Sequence, residues 1–402
     1  MVDPRQADGV QSAPLDPLLS RDGSVVVWTA PLRANDWHSY QVFLFDRRTR
    51  RRELVSVGLG GRYGNDMSVA RSVSDDGRFV LYQSAASNLA PGRGNGLDDL
   101  FLRDRLRHYT TFITRGHAPA LHYANGAAAM SGDGSLVVYE DCIESDCGLV
   151  GYRVATRELF TVAMHVNCGG VIPVLSDDGR YVVYSSCEQE TDEDRRTNSA
   201  CSPDLFVRDV VTGATTLLTG DLDPLNNQCV GDPRSSNGGS LYRNWYYEPQ
   251  FGSRGRCVLF LAGDGKVSRV WLRDLTTGAV TLVHTEVGES GWTTDPHADV
   301  TGDCQHVFFT AHYRTDAGTA GPSGETTLYR WDRGSGAVTR VTPDLPQRAD
   351  TDVVNGFWNA NITPAIGHVQ TSNDGRVLAI RTSLGYDPED SNGRSDIYLH
   401  AD

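Results

Sequence analysis

The chain has 402 residues and carries 37 Lys and Arg against 51 Asp and Glu, a net charge of −14. An acidic surface of that size repels phosphate backbones, so nucleic acid is not an expected partner, and no apolar run approaches the ~20 residues of a membrane helix. Length alone would allow two or three average domains, but a repeat along the chain points to one.

Seven related phrases follow one another. The first is SRDGSVVVW (Ser20 to Trp28), with QVFLFDRRTRRRELV after it (Gln41 to Val55). The second is SDDGRFVLYQS (Ser74 to Ser84) with DLFLRDRLRHYTTFI (Asp99 to Ile113). SGDGSLVVY (Ser131 to Tyr139) and LVGYRVATRELFTV (Leu149 to Val162) make the third. The fourth and clearest is SDDGRYVVYSS (Ser176 to Ser186) with DLFVRDVVTGATTLL (Asp204 to Leu218). GSRGRCVLF and RVWLRDLTTGAVTLV form the fifth, TGDCQHVFF and LYRWDRGSGAVTRV the sixth. The seventh is SNDGRVLAI with DIYLHAD, which stops at Asp402.

Each phrase divides into strands. A short segment enters Ser-x-Asp-Gly, a tight turn whose glycine tolerates positive φ. A β-branched and aromatic run follows, as in Tyr181 to Tyr184. An alternating strand comes next, then a Thr-Gly turn such as Thr212–Gly213, then a fourth strand. Units of this size built from short strands stack or close into an array. Four antiparallel strands make one blade of a β-propeller. The expectation is an all-β, seven-bladed propeller forming a single domain over residues 1–402. Its last unit lacks a fourth strand of its own, and residues before Leu18 are candidates to complete it.

These residues resemble the TolB-like propeller repeats of bacteria, whose units read DGRYVVF, then S-x-x-S-NLV, a DxNG turn, D-V-F-V-R-D and T-G-x-T-T-x-V-S. Ser87-Asn88-Leu89-Ala90-Pro91-Gly92 and Asp390-Ser391-Asn392-Gly393 carry matching pieces. The resemblance covers almost the whole chain and implies the fold. It does not imply one activity, because propellers host binding, lid and enzyme roles.

The eight cysteines point to an oxidising, extracytoplasmic compartment. No secretory signal is visible at Met1 to Gln6, and a removed one would leave the same start. Cys142 with Cys147, and Cys187 with Cys201, flank equivalent hairpins and are expected as disulfides. Cys257 with Cys304, and Cys168 with Cys229, are weaker pairings.

Insertions mark where function would sit. The turn reference positions are Gly23, Gly77, Gly134, Gly179, Gly255, Cys304 and Gly375. Excess length falls at 220–248, at 343–367 and in the loop from Glu188 to Ala200, all on one face by strand order. Loops on a rigid scaffold are where function usually lives. Seven residues before each reference lie Asp16, Ala70, Ala127, Ile172, Glu248, His297 and His368. Asp16, Glu248, His297 and His368 thus form one arc at the mouth of the expected channel. Two imidazoles and two carboxylates suit one divalent metal ion, and His297, His368 and Glu248 equally suit acid–base catalysis. No organic cofactor is expected. Trp37, Arg243, Trp245, Tyr246, Trp292, Trp358 and Asn359 surround the arc and suit sugar rings or peptide side chains. The expected function is a secreted, monomeric propeller binding a small-molecule, sugar or peptide ligand in that funnel. The alternatives are a metal-dependent lyase, hydrolase or isomerase, and a protein-interaction scaffold.

Overall fold

The computed structural model describes residues 17–33, 36–91, 99–114, 128–143, 146–164, 166, 173–186, 204–219, 222, 245–252, 255–263, 267–287, 297–312, 326–341, 366–382 and 396–401. They form seven antiparallel sheets, one per repeat, the blades of a seven-bladed β-propeller. Among the described residues the only helix is a single 3-10 turn, Trp37–Ser39.

Strands follow one another in space as they do in sequence. Blade 1 holds β1 (Leu18–Leu19), β2 (Val25–Pro31), β3 (Tyr40–Asp46) and β4 (Arg51–Leu54). Blade 2 holds β5 (Ser68–Val73), β6 (Phe79–Ser84), β7 (Asp99–Asp104) and β8 (Tyr109–Phe112). Blade 3 holds β9 (Ala128–Met130), β10 (Leu136–Ile143), β11 (Asp146–Arg153) and β12 (Glu158–Ala163). Blade 4 holds β13 (Val174–Leu175), β14 (Tyr181–Ser186), β15 (Asp204–Asp209) and β16 (Thr215–Leu217). Blade 5 holds β17 (Trp245–Phe251), β18 (Cys257–Gly263), β19 (Val267–Asp274) and β20 (Val280–Val287). Blade 6 holds β21 (Ala298–Val300), β22 (His306–His312), β23 (Thr326–Asp332) and β24 (Val338–Arg340). Blade 7 holds β25 (Ile366–Thr371), β26 (Val377–Thr382) and β27 (Asp396–Ala401), and has three strands among the described residues.

The turn joining the first two strands of a blade is built the same way in six blades. In blade 2, Ser74 Oγ donates to Asp76 Oδ1 at 2.7 Å and accepts from the Phe79 N–H at 2.8 Å. Blades 1, 3, 4 and 7 repeat this with serine, and blade 6 with Thr301. Blade 5 has Gly252 at the serine position and keeps only the backbone bonds of the turn. Gly77, at φ 68, presses on Val25 of blade 1, where a Cβ would meet Val25 Cγ2 at 2.5 Å. Cys304 holds the same place in blade 6 at φ 61, a conformation that costs an L-residue about 1 kcal/mol.

The chain divides into two compact units, Met1–Ala118 with His297–Asp402, and Pro119–Pro296. In the first, a cluster of Leu19, Val26, Trp28, Val377, Ala379 and Ile397 joins the start of the chain to its end, blade 1 to blade 7. Val25, Val42, Leu44, Val80, Tyr82 and Phe101 join blades 1 and 2, and Phe308, Leu328, Val369 and Ile380 join blades 6 and 7. Turns bond across these seams: the Asp22 N–H donates to Asp75 O at 3.0 Å, Gly302 to Asn373 O at 2.9 Å and Asn373 to Arg21 O at 2.7 Å. In the second unit, Leu136, Val138, Val182 and Tyr184 join blades 3 and 4, and Val183, Phe251, Val258 and Phe260 join blades 4 and 5. Its turns bond likewise, Asp133 N–H to Asp177 O at 2.7 Å.

Cys147, Cys257 and Cys304 are each disulfide-bonded, and no described cysteine is a free thiol. Cys142 and Cys147 face each other across β10 and β11, the register expected for that staple. Cys168, Cys187, Cys201 and Cys229 lie outside the described residues.

Candidate functional site

His297 and His368 come together. Their ring centroids are 5.7 Å apart with the planes crossed at 61°. His297 immediately precedes β21, where its N–H donates to Thr310 Oγ1 at 2.8 Å and its carbonyl accepts from the Thr310 N–H at 2.9 Å. His368 sits in β25 opposite Arg381, just past a register shift at Gly367. Two imidazoles sharing one metal at ~2 Å per nitrogen place their centroids within roughly 6 Å of each other. The observed spacing meets that limit, and also suits a shared proton or a ligand held between the rings.

A network of hydrogen bonds ties together the strands that carry the pair. Strand alternation puts Asp299 two residues on from His297 and Gln370 two residues on from His368. Gln370 Oε1 accepts the Leu19 N–H of β1 at 2.6 Å. Asp299 is 3 % exposed; its Oδ2 accepts the Thr371 N–H at 2.8 Å. Arg21, from the blade 1 turn, reaches past blade 7 and donates to both oxygens of Asp299 at 3.2 Å. The same Arg21 nitrogen bonds Val300 O at 3.2 Å and Thr371 O at 3.3 Å. Three innermost strands are thereby locked at a common height.

The other expected residues divide plainly. Glu248 lies on β17 in the second unit, where the register shifts between Tyr247 and Gln250; its side chain lies outside the described residues, as does all of Asp16. Trp245 and Tyr246 belong to β17 itself, opposite Gly263 and Ala262, not to the loop before it. Their side chains, and Arg243, Trp292, Trp358 and Asn359, lie outside the described residues. Among the described residues no group of three His, Cys, Asp or Glu side chains is placed to hold a metal.

Trp37 is described and is 61 % exposed. It stacks on Tyr40 at 5.1 Å and 12°. The next residue, His38, bonds Asp66 through Nδ1 at 2.7 Å. That bond and the nearby charge of Asp66 raise the His38 pKa above its ordinary value. Burial pushes the Asp66 carboxyl up, but the bonds from His38 and the Met67 N–H outweigh it and hold it below its ordinary value. Arg21, Asp299, Gln370 and Asp66 are not among the residues expected from the sequence. One signal was readable: Arg21 is the only cation at the second position of a Ser-x-Asp-Gly turn.

No protein-family model matches the chain, and no curated protein matches it. Solved structures do match, and they are β-propellers. The β-propeller domain of the Trilobed protease from Pyrococcus furiosus aligns with a TM-score of 0.53 at 9 % identity, over 96 % of this chain and 94 % of that one. An acylaminoacyl peptidase aligns with a TM-score of 0.53 at 11 % identity, over 96 % of this chain and 51 % of that one. TolB from Acinetobacter baumannii aligns with a TM-score of 0.47 at 12 % identity, over 79 % of this chain, which spans 63 % of the length of that TolB. At these identities the likeness shows the fold. No described helix is long and apolar enough to cross a membrane.

Proposed function

We propose that this is a TolB-like, extracytoplasmic propeller that binds a small ligand at the loop end of its innermost strands. The carrying observation is the His297–His368 pair, 5.7 Å apart on adjacent inner strands. Two imidazoles this close present ring nitrogens that a ligand, a proton or a cation can share. The disulfide-bonded cysteines support the compartment. The ligand classes that suit this face are a sugar or a peptide-like molecule.

A second reading rests on the same pair: a divalent metal held by His297 and His368, in a lyase, hydrolase or isomerase. Zinc and manganese titrations by calorimetry, on protein purified without chelator, test both readings. His297→Ala and His368→Ala should each lower metal affinity about 100-fold, the loss of one of a few ligands, with circular dichroism unchanged. Saturable metal binding lost in both variants favours the second reading. No binding by the parent protein leaves the pair to an organic ligand, and unchanged binding in both variants removes it from the site.

A further inference from the structure

We propose that the loop end of blades 1 and 2 carries a carbohydrate subsite, in which the Trp37 indole stacks against a pyranose ring and the His38–Asp66 pair bonds its hydroxyls. The proposal rests on the ligand-binding reading above and names the ligand class, but its residues are separate from the histidine pair. The loop between β2 and β3 and the loop entering β5 leave the same ends of their strands as His297 and His368, so the subsite lies on the ligand face of the first unit.

The indole is held as a platform. One face is backed by Tyr40, itself 9 % exposed, and 61 % of Trp37 stays open to solvent. The turn that carries it is closed from both sides. Asp36 Oδ1 accepts the His38 N–H at 3.1 Å, and Ser39 Oγ donates to Asp36 O at 2.6 Å while accepting the Arg33 N–H at 3.1 Å. A single exposed indole is ordinary on a protein surface; what sets Trp37 apart is the fixed polar pair beside it.

The polar partner is fixed just as firmly. Gln41, 1 % exposed, spends its whole side-chain amide on the loop before β5. Its Nε2 donates to Gly64 O at 3.2 Å and Asp66 O at 3.0 Å, and its Oε1 accepts from Ser56 Oγ at 2.8 Å and the Gly64 N–H at 3.1 Å. Asn65 and Ser87 exchange two bonds at 2.8 Å, and Asn88 bonds Tyr63 O at 3.2 Å. Asp66 Oδ1 takes both the His38 ring and the Met67 N–H. That leaves Asp66 Oδ2 as an acceptor and His38 Nε2, on a side chain 82 % exposed, as a second polar atom.

A sugar ring needs this combination. Its C–H face is apolar and flat enough to lie on an aromatic plane, while its hydroxyls need acceptors and donors fixed beside that plane. Loops already ordered in the free protein lose little entropy on binding. A peptide would instead call for an apolar side-chain pocket or a free strand edge, whereas Trp37 has a fixed polar pair beside it.

Calorimetry on the full chain with cellotetraose, chitotetraose and tetragalacturonate tests this, with decaproline as the peptide control. At least one oligosaccharide should bind. Trp37→Ala should weaken it about tenfold or more, as expected for a lost stacking partner, and Trp37→Phe should recover part of the loss. Asp66→Asn should weaken binding without unfolding the loop, and Arg48→Met, at the opposite, turn end of blade 1, should leave sugar binding unchanged. Failure of all three oligosaccharides, equal binding by Trp37→Ala, or binding of decaproline instead of the sugars through Trp37 would overturn the proposal. Metal titrations on Trp37→Ala should match the parent, so either reading can fail without the other.

Discussion

The two ends of each blade are built on opposite plans. At the turn end, six blades use the same serine or threonine, the same aspartate and the same bonds, and neighbouring turns bond each other through the backbone. At the loop end the described residues are more individual. His297 and His368 meet across two blades, and Trp37 stacks on Tyr40 in a third. Repetition at one end holds the blades to a common geometry. That leaves the other end free to differ from blade to blade without loss of fold, which is how a repeat protein can carry a local site.

Arg21 breaks the pattern, because it is a unique residue at the repetitive end. Its guanidinium is 18 % exposed and Asp299 is 4 % exposed, so truncating it strands a buried carboxylate. Arg21→Met should destabilise the protein by about 3 kcal/mol, the scale for breaking a buried pair, read as a lower denaturant midpoint. Arg48→Met, which removes an ion pair to Asp22 whose arginine is 69 % exposed, should cost at most about 0.5 kcal/mol. If the two variants were equally stable, Arg21 would be one more surface arginine and the comparison would fail. The larger loss should also disturb the His297–His368 spacing, and so weaken metal binding in a folded Arg21→Lys variant.

A smaller effect separates the regular turns from the irregular one. Ser176 is fully buried, donates to Asp178 and accepts from the Tyr181 N–H at 2.9 Å. Ser176→Ala leaves that N–H without its acceptor and should cost about 1 to 2 kcal/mol. Gly252 of blade 5 is the missing serine and lies outside the left-handed region. Gly252→Ser should therefore gain up to about 1 kcal/mol. Thermal melts of the two variants moving in opposite directions would establish the turn bond as the unit of blade stability. Movement in the same direction would deny it.

Much of the fold was legible because it is local and repeated. Period-two alternation marks every blade, and a Ser-x-Asp-Gly turn marks five of the seven. Counting back from the turn also brought His297 and His368 together, because neither blade shifts register between that position and its turn. The count says nothing of what fixes that height. Arg21 and Asp299 are 278 residues apart, and only the packing of blade 7 between their blades brings them into contact. Trp37 was readable as a loop aromatic. The His38–Asp66 bond beside it was not, since that depends on Gln41 strapping the loop before β5 to β3. The register shifts in β17 and β25 were invisible too, which is why Trp245 and Tyr246 read as loop and lie in a strand.

The faintest prediction bears on how rigid the loop end is. Asp66 bonds His38 and lies close enough to favour its charged form, so the His38 pKa is raised above 6.5. The carboxyl is correspondingly lowered from 3.8. For the histidine, the stabilisation is complete below its unfolded value and is lost as pH rises through the higher folded one. For the aspartate, it is complete above its unfolded value and is lost as pH falls through the lower folded one. The pair therefore tightens the two loops between those limits and loosens them on either side, most accessibly toward alkaline pH. His38 is fully exposed, so the change in global stability is small and the titration itself is the better observable. In proton NMR the His38 ring should titrate above 6.5, and Asp66→Asn should return it toward that value. A ring that titrates at its unperturbed value in the parent protein would mean that the loops move apart in solution. The indole would then be a loose surface residue, and the contrast between a repetitive turn end and an ordered, individual loop end would hold only for the histidine pair.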